Sequence, residues 1–518
     1  MRRCSTPTLS AIAILLGCAA TACSSQKQAL PEPPEDESIP QVAVPPANGP
    51  KLLVIKQGAV VRDRPSPNGK VIGTLRAGAK VSRAALPYSK KNCSGGWYPV
   101  RPRGFVCAGE DATTDLEHPI GKLLGEAPAL DKPMPYRFGR VKKGELVLYG
   151  KLPSHDEQLA AEPKLAERID KEPRKVGTGA NDVPLGEGFM PKGLAVLQPD
   201  AEGVGPDGYR TSASYFVFPG PQTIPAPLAV GVGLGNGENR VLKAKSGVAV
   251  VASFLLGDGK NERRFGVTPD GRFVPTDRLV DTLGSTWHGV NVAETPLPVA
   301  FALQTPHAWS LEKGEHPTEL EEDYEPRQAI ALTGRFRTVD STLFYATPDE
   351  KWIRHKDVVL MVARHKYPDF ATPGQKWIDI SLANQTLMAF EGKKPVYVTL
   401  VSTGSDRLGD PATGAPATLQ GQFRIRSKFV SRAVDDAEVK GEHSLTEVPW
   451  VLEFADGFAL TASYWQKHFG EPHNFHNVTL SPIDAHWLWH WSEIELPEGW
   501  HSVTVADDAQ SPIVFIHK

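Results

Sequence analysis

The sequence predicts a mainly β protein, and three observations carry that reading. Glycine and proline supply 47 and 46 of the 518 residues, a load that short strands and turns accommodate and long helices do not. Segments of alternating apolar and polar residues recur from residue 51 onward, separated by turn residues. Helix-compatible pattern is confined to a charged stretch over 157–174 and a tryptophan-rich stretch over 484–491. The length suggests three or four domains at roughly 150 residues each. Apolar residues make up 40%, enough for ordinary cores, and the net charge of -3 favours no nucleic-acid partner.

The elements follow in order. Residues 1–23 read as a targeting segment. Arg2 and Arg3 are followed by an apolar run, Leu9 to Leu16, too short for the roughly 20 residues that span a bilayer. Small residues lead to Cys23, which resembles the lipid-acceptor cysteine of bacterial lipoproteins; Cys18 is a rival acceptor, and plain secretion is the alternative. Either way the mature chain is expected outside the cytoplasm. The resemblance implies a periplasmic protein held to a membrane through lipid alone, and Ser24 after Cys23 leans towards the outer membrane. Residues 24–50 hold seven prolines and almost no large apolar side chain, so an extended tether is expected. At about 3.1 Å per residue it would reach on the order of 80 Å.

Residues 51–112 read as a small barrel of short strands. Val61-Arg62 and Pro65, then Gly73-Thr74-Leu75, Gly78, Trp97-Tyr98-Pro99-Val100 and Gly104-Phe105-Val106 follow in order. This order resembles the bacterial Src-homology-3-like domain, and Trp97 and Tyr98 are expected in its core rather than in a ligand groove. Cys93 and Cys107 are simplest as a disulfide in an exported protein, with two free thiols as the alternative. Residues 113–240 give no organised reading. Within 241–365 the run Thr268-Pro269-Asp270-Gly271-Arg272-Phe273 to Val280 is echoed by Thr347-Pro348-Asp349-Glu350-Lys351-Trp352 to Val359. Two copies indicate duplication, read as paired hairpin units or further small barrels.

Residues 373–518 form the last domain. Trp377-Ile378-Asp379-Ile380-Ser381-Leu382, Gln385 to Gly392, and Pro395 to Gly404 alternate as strands, and Thr418 to Ile425 follows. Further on stand Tyr464-Trp465, Phe469-Gly470, Pro472, and Leu480-Ser481-Pro482 with Asp484-Ala485. This frame resembles the L,D-transpeptidase family of bacterial cell walls, whose fold is a β-sandwich. It implies peptidoglycan stem peptides or wall-synthesis proteins as partners, and no cofactor. Tyr464, Trp465 and Phe469 become candidates for a ligand cleft.

The chemistry between those landmarks is missing. Thr461, Ala462 and Ser463 stand where the family carries H-G-T, and Asn474, Phe475, His476 and Asn477 where it carries S-H-G-C. Asn477 takes the nucleophile position, Phe475 that of the general base, and Thr479 the position of a substrate-carboxylate contact. Acyl transfer through a thioester needs a thiolate, a base and oxyanion donors, and an amide and a phenyl ring supply neither of the first two. No cysteine follows Cys107. The expected function is therefore a binding protein without catalysis, against two alternatives: an enzyme with a non-cysteine mechanism, using Ser463 or Thr461, and a purely structural envelope protein. His468, His473, His476, His486 and His490 cluster, but no Cys or carboxylate set completes a metal pattern, so no metal is expected.

Overall fold

The strands of this chain assemble by repeating one pairing plan three times. In the computed structural model, residues 40–162, 164–167, 182–185, 188–191, 216, 218, 238–257, 263–312, 316–404, 417–434, 444–472 and 476–518 are described. The leader, Cys18, Cys23, most of the 24–50 tether, and Asn474 and Phe475 lie outside these residues.

In the first copy, Lys51–Val54 pairs antiparallel with Lys80–Ser82 on one side and Ala112–Thr113 on the other. Ala59–Arg62 and Val71–Leu75 form a hairpin whose first strand touches Phe105–Ala108, and Phe105–Ala108 pairs with Gly96–Pro99. The second copy repeats this. Arg137–Val141 lies between Gly247–Val250 and Leu279–Thr282. Leu146–Leu148 pairs with Arg240–Leu242, Tyr149 bridges Phe273, and Ala252–Leu256, Arg263–Val267 and Phe273–Pro275 form a meander. In the third, Val299–Ala302 lies between Ala329–Ala331 and Val358–Met361. His307–Ser310 pairs with Thr318–Asp323 and touches Trp352–Arg354, which closes a meander with Thr342–Ala346 and Phe336–Val339.

The echoed sequence runs explain why copies two and three match so closely. The Thr268 and Thr347 amides donate to Arg272 O and Lys351 O, both at 2.9 Å, and each threonine hydroxyl also reaches the aspartate two residues on. The third turn residue is left-handed in both, Gly271 at φ 80° and Glu350 at φ 65°. A single 3-10 turn follows, Thr276–Arg278 and His355–Asp357. The duplicated unit is thus a whole barrel plan and not a hairpin.

Two boundaries differ from the sequence expectation. The second copy begins at Arg137, inside the stretch that sequence left unread, and residues 149–239 are inserted between the strands of its hairpin. Its opening strand is short, and its partners lie far along the chain, so no local pattern marks it. One helix of the insertion runs His155–Ala161, opened by a capping box between Ser154 and Glu157, and residues 165–167 are helical as well. The tether also ends early. Arg101 donates to Pro45 O at 3.3 Å and Ser82 to Ala47 O at 2.9 Å, so residues 45–47 lie against the first copy.

The last domain is a sandwich. One sheet runs Val290–Asn291, Lys394–Leu400, Thr386–Glu391, Lys376–Ser381, Ile513–His517, Gly421–Arg424. The other contains Ser427–Val434, Leu445–Ala455, Phe458–Ala462, Val478–Leu480 and Trp500–Thr504. Ile378, Ile380, Leu387, Trp450, Leu452, Phe454, Leu460 and Val514 fill the space between them, with Leu488 and Trp489 of the Pro482–Trp491 helix.

The first copy is joined to this sandwich edge to edge. Val71–Leu75 pairs antiparallel with Trp500–Thr504, and the Trp500 ring enters the core of Leu52, Val54, Val61, Leu75 and Val106. Trp97 and Tyr98 are buried, and Cys93 and Cys107 form a disulfide. Val42 to Lys518 forms one compact unit.

Gly73 makes the strand junction possible, because a Cβ there would lie 2.4 Å from the Trp500 ring. Gly73→Ala is expected to cost about 1–3 kcal/mol, read as a lower midpoint in urea unfolding. Glu350→Gly should act oppositely. Relief of a left-handed non-glycine residue, less the entropy glycine adds to the unfolded chain, leaves a gain of about 0.5–1 kcal/mol in the same assay.

Candidate functional site

The two stretches singled out in the sequence as candidate site elements lie side by side. Phe458–Ala462 and Val478–Leu480 run parallel, with Thr461 opposite Thr479 and Ala462 opposite Leu480. Two further stretches complete the place. Ser402 bridges Thr479 through paired main-chain hydrogen bonds of 2.8 and 2.9 Å. Thr418 Oγ1 donates to His476 O and accepts from Gly404 N, both at 2.9 Å. Gln385 holds Thr403 from below, its Nε2 donating to Thr403 Oγ1 at 2.7 Å.

What these side chains do there is structural. Asn477 is 8% exposed, and its Oδ1 accepts from Ala459 N at 2.8 Å, tying the two parallel strands together. Thr479 Oγ1 donates to Ser402 O at 3.0 Å and accepts from Gln466 Nε2 at 3.4 Å. His476 sits edge-on to Phe458, its Nδ1 3.4 Å from Ala417 O. Thr461, Ala462 and Ser463 are all buried, and among the described residues Ser463 Oγ has no hydrogen-bond partner. A serine nucleophile needs a base within hydrogen-bond reach, and none of the described residues is bonded to Ser463 Oγ.

The proposed cleft residues are corrected by the fold. Tyr464 is buried, stacked on Phe138 of the second copy at 4.2 Å, with its hydroxyl donating to Thr446 O at 3.3 Å. A Cβ on Gly247 would lie 1.9 Å from that hydroxyl, so glycine is required where the barrel strand meets the ring. Trp465 packs edge-on to Tyr464, half-buried in the same cluster. Phe469 is buried, stacked on Trp287 at 5.8 Å, and its carbonyl accepts from Arg327 Nε at 2.9 Å. The loop carrying all three is clamped between copies two and three, so Tyr464 and Phe469 are core residues and line no open groove. Arg327 and Trp287 escape sequence reading because their partners are a main-chain carbonyl and a ring far along the chain.

Below the motif strands lies Asp484, fully buried. It accepts from Tyr397 Oη at 2.7 Å, Thr399 Oγ1 at 2.6 Å and Gly289 N at 2.8 Å. Its helix begins at the Ser481 cap, with Ser481 Oγ accepting from Asp484 N at 3.1 Å. Burial pushes the Asp484 carboxyl above the usual carboxylate range, against the hydrogen bonds that pull it down. The same burial, reinforced by Asp484, raises Tyr397.

Three other polar clusters lie near. Glu447 accepts from Ser431 Oγ and from Gln57 Nε2 at 3.3 Å, with His501 Nε2 3.6 Å away, all at the junction of the first copy and the sandwich. Lys428 donates to Trp489 O and Ile494 O, both at 2.8 Å, and burial pulls its ammonium down to about 7. His486 and His490 face the carbonyl of Leu130.

No family model matches this sequence, and no curated protein matches it. Solved structures similar to it include an L,D-transpeptidase from Xylanimonas cellulosilytica, at 16% identity and TM-score 0.21, over 30% of this chain and 65% of that one. An L,D-transpeptidase from Mycobacterium smegmatis matches at 18% identity and TM-score 0.22, over 36% and 77%. The catalytic domain of an Enterococcus faecium L,D-transpeptidase matches at 14% and 0.20, over 28% and 98%. This chain thus spans just under two thirds of the first. Likeness at this level assigns no chemistry to the present chain.

Asp484→Ala should strand three buried donors and cost about 3–5 kcal/mol in urea unfolding. The pH dependence carries a sign. A raised folded pKa stabilises most below the unfolded value and fades as pH rises through the folded one. The stability gap between wild type and Asp484→Asn should therefore narrow as pH rises above the ordinary carboxylate range.

Proposed function

We propose that this chain is a cell-envelope protein with an L,D-transpeptidase-like domain. In this reading it acts at peptidoglycan, binding stem peptides or a wall-synthesis partner without acyl transfer. One observation carries the reading. The two motif elements adjoin in parallel strands, while the position of the nucleophile holds an amide already committed to Ala459 N. The order of the surrounding landmarks, from Trp377 to Ala485, supports the family relation. The fate of Cys107 supports the absence of a thiol mechanism, since the last cysteine of the chain is locked in a disulfide.

Loss of a nucleophile does not remove binding, because ground-state contacts and transition-state stabilisation are separable. Export with a lipid anchor at Cys23 or Cys18 belongs to the same proposal. It rests on the basic start, the short apolar run and the proline-rich stretch after it. Burial of Tyr464 and Phe469 takes these two rings away from ligand contact.

Incubation of purified sacculi with residues 24–518, followed by muropeptide mass analysis, tests both halves. An unchanged muropeptide profile with protein in the sacculus pellet is the expected result. New cross-links or shortened stems would mean an enzyme with a nucleophile other than cysteine. An unchanged profile with all protein left in the supernatant would remove stem peptides as the ligand.

A further inference from the structure

The geometry points to a transition-metal site built from His486, His490 and the main-chain carbonyl of Leu130. His486 and His490 are four residues apart on the Pro482–Trp491 helix and so share one face. Their Nε2 atoms lie 3.1 Å apart. Leu130 O, from the connector between copies one and two, lies 2.9 Å from His486 Nε2 and 3.0 Å from His490 Nε2. Three potential donor atoms thus form a nearly equilateral triangle.

Hydrogen bonding uses two edges of this triangle and leaves the third open. A neutral imidazole carries one N–H and one lone pair. If both Nε2 atoms carry protons, Leu130 O accepts from both, and the two N–H groups face each other across the 3.1 Å edge. If one is deprotonated, its lone pair faces either the carbonyl or the other ring across an unsatisfied edge. A cation above the triangle makes all three contacts favourable at once. Zinc at about 2.0–2.1 Å from each nitrogen, in tetrahedral arrangement, sets ligand–ligand edges of about 3.3 Å. The present edges need only a slight opening. Imidazole nitrogens suit zinc, copper and nickel.

The surroundings agree. His490 lies in the last turn of its helix, where the negative end of the macrodipole favours a cation. Trp450 packs against both rings, at 4.8 Å from His486 and 6.4 Å from His490, and fixes one side of the pair. His490 and Leu130 are exposed, which leaves an open approach. Among the described residues no three His, Cys, Asp or Glu side chains gather. The third donor here is backbone, which leaves no trace in a sequence, and the expectation of no metal is revised on that ground.

The test is titration of residues 24–518 with Zn(II) against a competing chromophoric chelator. Wild type and His468→Ala, which changes an exposed histidine elsewhere, should take one equivalent alike. His490→Ala, at an exposed position that leaves the Trp450 packing of His486 in place, should bind at least tenfold more weakly. With Cu(II), electron paramagnetic resonance should show two imidazole nitrogens in wild type and one in His490→Ala. Zinc should also slow proteolysis within residues 126–132 of wild type and not of the variant. Equal affinity in His490→Ala, an unchanged copper spectrum, or no zinc uptake by wild type would each overturn the proposal.

Discussion

The buried carboxylate of Asp484 is the constraint around which the last domain is arranged. An acid removed from water is tolerated only if donors surround it, and here three donors come from two other chain segments. Tyr397 and Thr399 belong to one sheet, Asp484 to the helix that follows the motif strands, and Gly289 to the segment that leads into the third barrel copy. One side chain therefore sets the position of the helix, the sheet and the incoming connector together. A main-chain donor with no room for a side chain completes the set, since a Cβ on Gly289 would lie 2.2 Å from Val398 O. The motif strands inherit their placement from this node, because Val478–Leu480 leads directly into the Ser481 cap.

Much of this was legible in the sequence where the signal is local. The alternation of Trp377 to Leu382 marks a strand, and the tryptophan-rich run over 484–491 marks a helix, because such patterns act over a few residues. The echo of Thr268–Val280 in Thr347–Val359 was visible for the same reason, being carried by one turn and one 3-10 step. What escaped is nonlocal. Arg137–Val141 acquires its identity only from partners more than a hundred residues away. Tyr464 and Phe469 were cleft candidates only through the family resemblance of their motif. That inference fails when two barrels close over the loop. A carbonyl such as Leu130 O has no letter of its own in a sequence.

The side chains of the two parallel strands have structural tasks of their own. Asn477 and Thr479 each take up hydrogen bonds that hold neighbouring strands, so their positions are under structural constraint. Thr461 and Ser463 lie in the same buried seam. Placing a thiol at Asn477 would mean breaking a strand contact as well as adding the sulfur.

Trp500 sits in the core of the first barrel copy, although it is made more than four hundred residues after that copy begins. A chain synthesised from its N-terminus presents residues 51–113 long before this ring is available. Early-emerging domains ordinarily fold as they appear. This one must wait, its centre open, until the far end of the polypeptide arrives. Maturation of the first module is thereby coupled to completion of the last, so a prematurely terminated product lacks a finished N-terminal module as well as its own C-terminus.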